Sequence, residues 1–373
     1  LTVRAFRTCC AAVLIGASSV AWAETPSPLD LARFYAFPGA VAGPPSAVAA
    51  GLGLAGRWSG EEPFDNPAAA PARGLVVAPV AQRVKRQDLA ADFRNYEETG
   101  GYFDLAGGWL SLPVAGFGVT LYGSQPVLRF EEQSFTTKPD QVPAAFASGA
   151  TSREARAGLA LSRAWGGARL GLGVEWTYRD DSYELIASSG TLTGTRSVAF
   201  TGDAVGFQAG ARVPVAPRVT LGAALRYLPE LEVTGSQVLD GEERDVTATR
   251  EAGFEGGISV RVAADEAVRV FASLGGGTAR SWEGFDLGGG AAASWGVGLE
   301  YEEPEQPLIL RCGVGQEQQT GVPEPRSGVY ALGLGWRLDT LRLDLGVLRR
   351  SLERAEQPRS YDDRAVASLT VGF

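Results

Sequence analysis

From about residue 73 onward, apolar and polar positions alternate in repeated short segments. In the clearest segment, 168–179, every second position belongs to one apolar row: Leu170, Leu172, Val174, Trp176 and Tyr178. The positions between them carry small or charged residues. Because successive side chains of a β-strand point to opposite faces, this pattern predicts a strand with one wholly apolar face. Segments 218–227, 294–301 and 330–338 repeat the pattern.

The alternation predicts an all-β chain of roughly fourteen strands, joined by connections of two kinds. The strands lie near 74–83, 101–112, 115–130, 153–165, 168–183, 202–214, 218–234, 250–263, 266–280, 291–303, 307–317, 326–338, 340–352 and 363–373. Every second connection is a tight turn, and the others are longer loops, near 84–100, 131–152, 184–201, 235–249, 281–290, 318–325 and 353–362. Short turns at one end and long loops at the other are typical of an antiparallel transmembrane β-barrel of the outer membrane.

Aromatic residues at the ends of the apolar rows, such as Trp176, Tyr227 and Trp336, are typical of membrane girdles. A soluble β-sandwich also alternates, but strands of this length exceed its usual span of about five or six residues. Glycine and charge share the opposite faces, which suits a wet lumen. The polar residues predicted to face that lumen are Arg169, Glu175, Arg212, Arg226, Glu255, Arg261 and Arg337.

Both ends of the sequence indicate export to the outer membrane of a Gram-negative bacterium. Residues 1–23 have a basic start, an apolar run and a small-x-small pattern at Ala21–Ala23, which predicts a signal peptide with Glu24 as the mature start. The last strand finishes in Phe373, which resembles the signal read by the outer-membrane assembly machinery. We therefore expect that machinery, outer-membrane lipid and lipopolysaccharide as partners of the barrel.

Composition excludes most catalytic chemistry. The chain has no histidine, and Cys312 is the only cysteine after residue 10, so Ser–His, Asp–His and Cys–His arrangements are impossible. We expect no enzyme, no metal site and no cofactor. The net charge of −9 argues against a nucleic-acid partner.

One motif could hold a cofactor. Gly51, Gly53 and Gly56 satisfy the G-x-G-x-x-G dinucleotide pattern, which needs a strand before it and a helix after it. No strand pattern precedes these glycines, and Pro63 soon follows them. We therefore interpret them as backbone that packs against the barrel wall.

The stretch 51–71, "GLGLAGRWSGEEPFDNPAAAP", resembles the N-terminal segment of the FadL-type family of outer-membrane transporters for hydrophobic compounds. In that family a glycine-rich run leads to an aromatic-x-Asn-Pro-Ala element and then to the first of fourteen strands. The matching residues here are Gly51, Gly53, Ala55, Gly56, Phe64, Asn66, Pro67 and Ala68. The resemblance implies that residues 24–73 fold into the lumen as a plug, or hatch, and that 74–373 form the barrel.

The leading hypothesis is a channel that passes small hydrophobic molecules by ligand-gated diffusion. The residues expected to move as the hatch are Phe64, Asp65, Asn66 and Pro67, although Asn-Pro is also an ordinary turn sequence. The outer loop 131–152 is the most apolar, and the residues expected to capture a ligand there are Phe135, Val142 and Phe146.

Two alternatives stay open at this point. One is a non-transporting envelope barrel that acts as a structural component or as a secretion-associated component that binds other proteins. The polar outer loops would suit it. An open hydrophilic porin would suit a lumen that is rich in arginine.

Overall fold

A computed structural model of the chain describes residues 46–69, 74–85, 93–99, 101–125, 127–137, 145–189, 192–239, 241–283, 291–303, 305–319, 326–353 and 360–372. The predicted signal peptide, the first half of the predicted plug, Val142 and Phe373 lie outside these residues. Among the described residues, no helix is both long enough and apolar enough to cross a bilayer.

The described residues form one short helix, one 3₁₀ turn and nineteen strand segments. Helix α1 is Ala47–Leu52, and the 3₁₀ turn is Gly53–Gly56. The strands are β1 Gly74–Lys85, β2 Phe93–Thr99, β3 Gly101–Val114, β4 Phe117–Ser124, β5 Val127–Thr137, β6 Ala145–Trp165, β7 Ala168–Ser189, β8 Leu192–Ala216, β9 Val219–Leu228, β10 Leu231–Leu239, β11 Glu242–Arg250, β12 Gly253–Ala263, β13 Val268–Gly277, β14 Trp282–Glu283, β15 Ala292–Glu302, β16 Leu308–Gln319, β17 Arg326–Leu338, β18 Leu341–Glu353 and β19 Ser360–Gly372.

The strands close into an antiparallel barrel, because β1 pairs with β19 on one side and with β3 on the other. Five segments are continuations of a neighbour in the chain after a short break: β2 with β3, β5 with β4, β10 with β9, β11 with β12, and β14 with β13. Counted as whole strands, the wall therefore has fourteen, and the predicted antiparallel barrel of about fourteen strands is confirmed.

The tight turns lie at one end of the barrel. At three of these turns, residues at the tip have positive φ: Ala115 and Gly116, Gly166 and Gly167, and Asp339. Two-residue hairpins favour this backbone region, because it matches the twist of the flanking strands. The predicted positions of the short turns thus agree with the fold, and we call this end of the barrel the short-turn end.

At the opposite end of the barrel, stretches that were predicted to be loops form strands instead. Strands β6, β7 and β8 have 21, 22 and 25 residues, about twice what a tilted strand needs to cross a bilayer. The stretches 184–201 and 235–249, predicted as loops, are mostly strands β7, β8, β10 and β11. The wall therefore continues beyond the membrane, because polar residues can occupy the outward positions of a strand that stands in water.

The outward face of the wall carries the apolar rows. On β7 and β17 the exposed side chains include Leu172, Trp176, Leu332 and Trp336. On β18 they are Leu341, Leu343, Leu345 and Val347. A continuous belt of exposed leucine, valine and tryptophan is stable only against lipid. The barrel is therefore built to stand in a membrane.

Residues 46–69, which we call the inner segment, pack against inward-facing residues of the wall. Ser46 caps helix α1 by accepting a hydrogen bond from the Ala49 backbone N–H. Helix α1 contacts β15 to β19. The buried side chains of the inner segment include Leu52, Trp58 and Phe64, so it has a packed core with the wall.

Candidate functional site

Glycines on the wall leave room for the backbone and side chains of the inner segment. They lie on nine neighbouring strands of the barrel: Gly171 on β7, Gly210 on β8, Gly222 on β9, Gly257 on β12, Gly275 on β13, Gly296 on β15, Gly313 on β16, Gly333 on β17 and Gly346 on β18. A Cβ added to Gly313 would lie 2.1 Å from the Leu52 carbonyl oxygen, and one added to Gly346 would lie 2.3 Å from that of Ala47. Only glycine allows so close an approach.

Asn66 is fully buried and joins the inner segment to two strands of the wall. Its side-chain amide donates to the carbonyl oxygens of Trp58, Ala211 and Ala223 at 2.9, 3.2 and 3.2 Å. Its Oδ1 accepts from the Ala68 backbone N–H at 2.9 Å. The amide group thus forms the turn and binds it to β8 and β9.

Ion pairs of opposite polarity hold the segment on its two sides. Arg57 donates to Glu255 on β12 at 2.6 Å and lies 3.7 Å from Glu317 on β16. Burial opposes the charge of Arg57, but the nearby carboxylates outweigh it and raise the pKa of the guanidinium group. Glu61 accepts from Arg261 at 2.8 Å and from Arg212 at 3.3 Å.

Phe64 lies against the wall where the pairing of strands is interrupted. Its ring meets that of Tyr122 edge-on, with centroids 5.8 Å apart, and Trp109 packs beside them. Tyr122 on β4 and Trp109 on β3 are register partners. The β3–β4 ladder ends two residues further on, at Gly107 and Ser124.

Beyond that point the described residues have no β3–β5 ladder, and pairing resumes only between β2 and β5 at Thr99 and Glu131. Gln125 bridges the interval, because its backbone N–H donates to the Ala106 carbonyl at 2.9 Å and its side-chain amide to Asp104 at 3.2 Å. A register shift between β1 and β3 lies beside it, at Ala78 and Pro79. We call this interval the seam.

A chain of contacts runs from Phe64 towards the long-strand end of the barrel. Tyr122 donates to Glu175 at 3.1 Å, and Arg156 lies 4.0 Å from Glu175 and donates to Glu154 at 2.6 Å. Arg250 donates to Glu154 at 3.4 Å, and its guanidinium group lies over the ring of Trp282. Carboxylates thus alternate with the buried arginines along this chain of contacts and offset their positive charge.

An apolar inner surface lies beyond this charged layer. Its residues come from the extended parts of β8, β10 and β11: Val198, Phe200, Leu231, Val233, Val246 and Ala248, all buried. Phe200 also packs edge-on against Trp282, with centroids 6.4 Å apart. Sequence reasoning missed this surface because the stretch 235–249 is polar on average, although Val246 and Ala248 show the two-residue alternation.

The predicted site residues lie in three places. Phe64, Asp65, Asn66 and Pro67 belong to the inner segment, and Asp65 lies 4.0 Å from Arg57. The polar residues predicted for the lumen alternate with outward-facing apolar residues on β7, β8, β9, β12 and β17, and Glu175 and Arg226 are buried. Phe135 and Phe146 are register partners on β5 and β6 rather than parts of a loop, which corrects that expectation. Val142 lies outside the described residues.

Comparison with solved structures identifies the architecture. The structure of a FadL homologue from Pseudomonas aeruginosa aligns with a TM-score of 0.61 over 88% of this chain and 98% of that chain, at 14% identity. The toluene transporter TodX of Pseudomonas putida aligns at 0.61 over 88% and 97%, with 15% identity. The fold is that of the FadL-type barrels. The toluene transporter TbuX of Ralstonia pickettii agrees, at 0.60 over 89% and 98%, with 13% identity.

The resemblance carried by the Asn-Pro-Ala stretch is therefore confirmed at the level of the FadL-type fold. No protein-family model matches the sequence, and neither does any curated protein sequence. Among the described residues, no three Asp, Glu, Cys or His side chains come together as metal ligands. The interior thus combines an apolar surface, a layer of paired charges and a packed inner segment.

Proposed function

We propose that this chain is an outer-membrane channel for small hydrophobic molecules and that the inner segment is its hatch. The observation that carries the proposal is the position of Phe64, which packs on Tyr122 and Trp109 beside the seam. At this one place the same side chain seals the interior and adjoins an interruption in the wall.

The proposed path begins at the apolar inner surface of β8, β10 and β11. The side chains of this surface are buried, so a molecule without charge must separate them to enter. Once it lies between them, it gains free energy by leaving water. It then passes the arginine–glutamate layer, whose charges are already paired, and reaches the rings of Phe64 and Tyr122. When the hatch shifts, the molecule leaves through the seam or through the short-turn end. No covalent step is involved.

The solved structures support the substrate class as well as the architecture. Two of the similar proteins are toluene transporters by name. The contacts of the inner segment also fit a hatch better than a free tail. Ion pairs, hydrogen bonds to backbone carbonyls and glycine contacts hold it on many strands. The ion pairs of Arg57 and Glu61 can be exchanged for hydrogen bonds to water when the segment moves.

Uptake and conductance together test the proposal. Cells with a lipopolysaccharide outer membrane that express the chain should take up radiolabelled toluene faster than cells with an empty vector. The purified chain in a planar bilayer should conduct no steady ion current, since the inner segment occupies the interior. A steady current without faster toluene uptake would favour the porin. No current and no uptake would favour the non-transporting envelope barrel.

A further inference from the structure

Three arginines lie directly beneath the inner segment, towards the short-turn end. Arg169 is two residues from Gly171, which contacts Pro67 and Ala68. Arg212 is two residues from Gly210, which contacts Asn66. Arg261 is two residues from Ser259, the register partner of Gly222. Since alternate residues of a strand share a face, all three point inward, and we call them the basic arc.

The basic arc is short of negative charge. Its one carboxylate partner among the described residues is Glu61, and a single Oε1 atom of Glu61 accepts from both Arg212 and Arg261. Within the described part of the chain, Arg169 makes no hydrogen bond or ion pair. Three positive charges thus face one negative charge, which leaves a local excess of two.

The strand register adds to this imbalance. Arg169 on β7 and Arg212 on β8 are direct register partners, and like charges opposite one another destabilise a sheet. Elsewhere the interior pairs arginine with carboxylate, as between Arg311 and both Glu300 and Asp344. The arc is therefore an exception to the way this barrel neutralises its lumen.

The arc is also open to water. The side chains of Arg212 and Arg261 are 20% and 28% exposed, and that of Glu61 is 33% exposed. These side chains therefore keep part of their surface free for hydrogen bonds to a small solute. Guanidinium groups bind carboxylate and phosphate oxygens through paired, charge-assisted hydrogen bonds.

We propose that the basic arc is a binding site for a small oxyanion, either a phosphate or a carboxylate, which takes the place of Glu61 on Arg212 and Arg261 and engages Arg169. Because Glu61 belongs to the inner segment, an occupied arc removes two contacts between that segment and the wall. This consequence rests on the proposed function of the hatch, whereas the binding itself does not.

Calorimetric titration of the full chain in detergent tests the binding at constant ionic strength. Inorganic phosphate and citrate are the two probes, so that an inorganic and an organic source are distinguished. The wild-type chain should bind at least one of them saturably. Arg169→Gln should weaken binding about tenfold, and it removes a side chain that supports no other described contact. Glu61→Gln should strengthen binding about tenfold, since the competing carboxylate is gone.

The matched control is Arg244→Gln. Arg244 is paired with Glu242 on the exposed part of β11, far along the chain from the arc, and its replacement should leave the affinity unchanged. Absence of saturable binding by both probes would overturn the proposal, as would binding that neither Arg169→Gln nor Glu61→Gln alters. Toluene uptake is measured separately, so a failed channel and a failed oxyanion site are distinguishable.

Discussion

Gly210 of the wall and Asn66 of the inner segment are in direct contact: a Cβ atom added to Gly210 would lie 2.0 Å from Asn66 Oδ1. Gly210→Ala should therefore push the hatch away from β8. We expect destabilisation of about 1–3 kcal/mol, the usual cost of overpacking, and faster trypsin cleavage after Arg57. Gly123→Ala is the control, because its Cβ would meet its nearest neighbour at an ordinary 3.6 Å. Equal cleavage of both variants would contradict the packing described for Gly210.

Asn66 tests the polar side of the same contact. Asn66→Asp replaces a donor with a carboxylate that would face the carbonyl oxygens of Trp58, Ala211 and Ala223. Asn66→Ala leaves the three carbonyls without a donor, which costs about 1–3 kcal/mol of stability. Asn66→Asp adds repulsion to that loss, so it should lower the thermal unfolding midpoint further. If the aspartate variant were the more stable of the two, the hydrogen bonds assigned to Asn66 would be wrong.

Phe64 tests the seal beside the seam. Phe64→Ala removes the ring that packs on Tyr122, and burial losses of this size cost about 3–5 kcal/mol in well-packed cores. We expect ion current through planar bilayers that the wild-type chain does not carry. Phe64→Leu keeps an apolar side chain in place and should leak far less. A silent Phe64→Ala channel would place the seal elsewhere.

The raised pKa of the buried Glu62 carboxyl leads us to expect that docking of the hatch depends on pH. Burial raises the pKa of this carboxyl to about 7, while in the unfolded chain it stays near its ordinary value of about 4.3. The folded state therefore binds the proton more tightly, so the stabilisation is fully present at low pH and is lost as the pH rises through about 7. Ser46, which caps α1, donates a hydrogen bond to the same carboxyl.

Trypsin cleavage after Arg57 should accordingly accelerate as the pH rises from about 5 to about 7 and level off above that, because the ionised Glu62 weakens the docking of the segment. Glu62→Gln mimics the protonated form and should make cleavage much less dependent on pH, once the pH profile of trypsin on an unfolded substrate is subtracted. A wild-type profile that coincides with that of Glu62→Gln would exclude Glu62 as the cause.

Much of the barrel could be predicted from the sequence, because a strand with one face towards lipid has an apolar residue at every second position. Every second residue of β17 and of the first part of β7 faces lipid, so rows such as Leu170, Leu172, Val174 and Trp176 identify the strands and their outward faces. The positive φ values of Gly166, Gly167 and Asp339 agree with the predicted turns. Local chemistry decides both features, and both are therefore visible without a structure.

The long-strand end and the interior could not be predicted in the same way. On β10 and β11 the outward residues stand in water, so the apolar positions are only those that face inward, such as Val233 and Val246. The contacts of Arg57 and Asn66 join residues that are about 150 to 260 positions apart in sequence. Register across the closed barrel creates these contacts, and no local pattern records them. The glycine contacts could not be predicted either. Glycine on the inward face is compatible with an empty, wet lumen as well as with a segment packed against the wall.

A reversible lock of the hatch tests the central claim most directly. A Cβ added to Gly60 lies 3.4 Å from the Cβ of Arg212, close to the spacing of about 3.5–4.5 Å in disulfides. Gly60→Cys with Arg212→Cys, in a Cys312→Ser background, should join the inner segment to β8, and Arg212→Cys alone is the control. We predict that the oxidised double variant takes up toluene no faster than cells without the channel, and that reduction restores uptake. Undiminished uptake by the fully cross-linked chain would contradict a moving hatch.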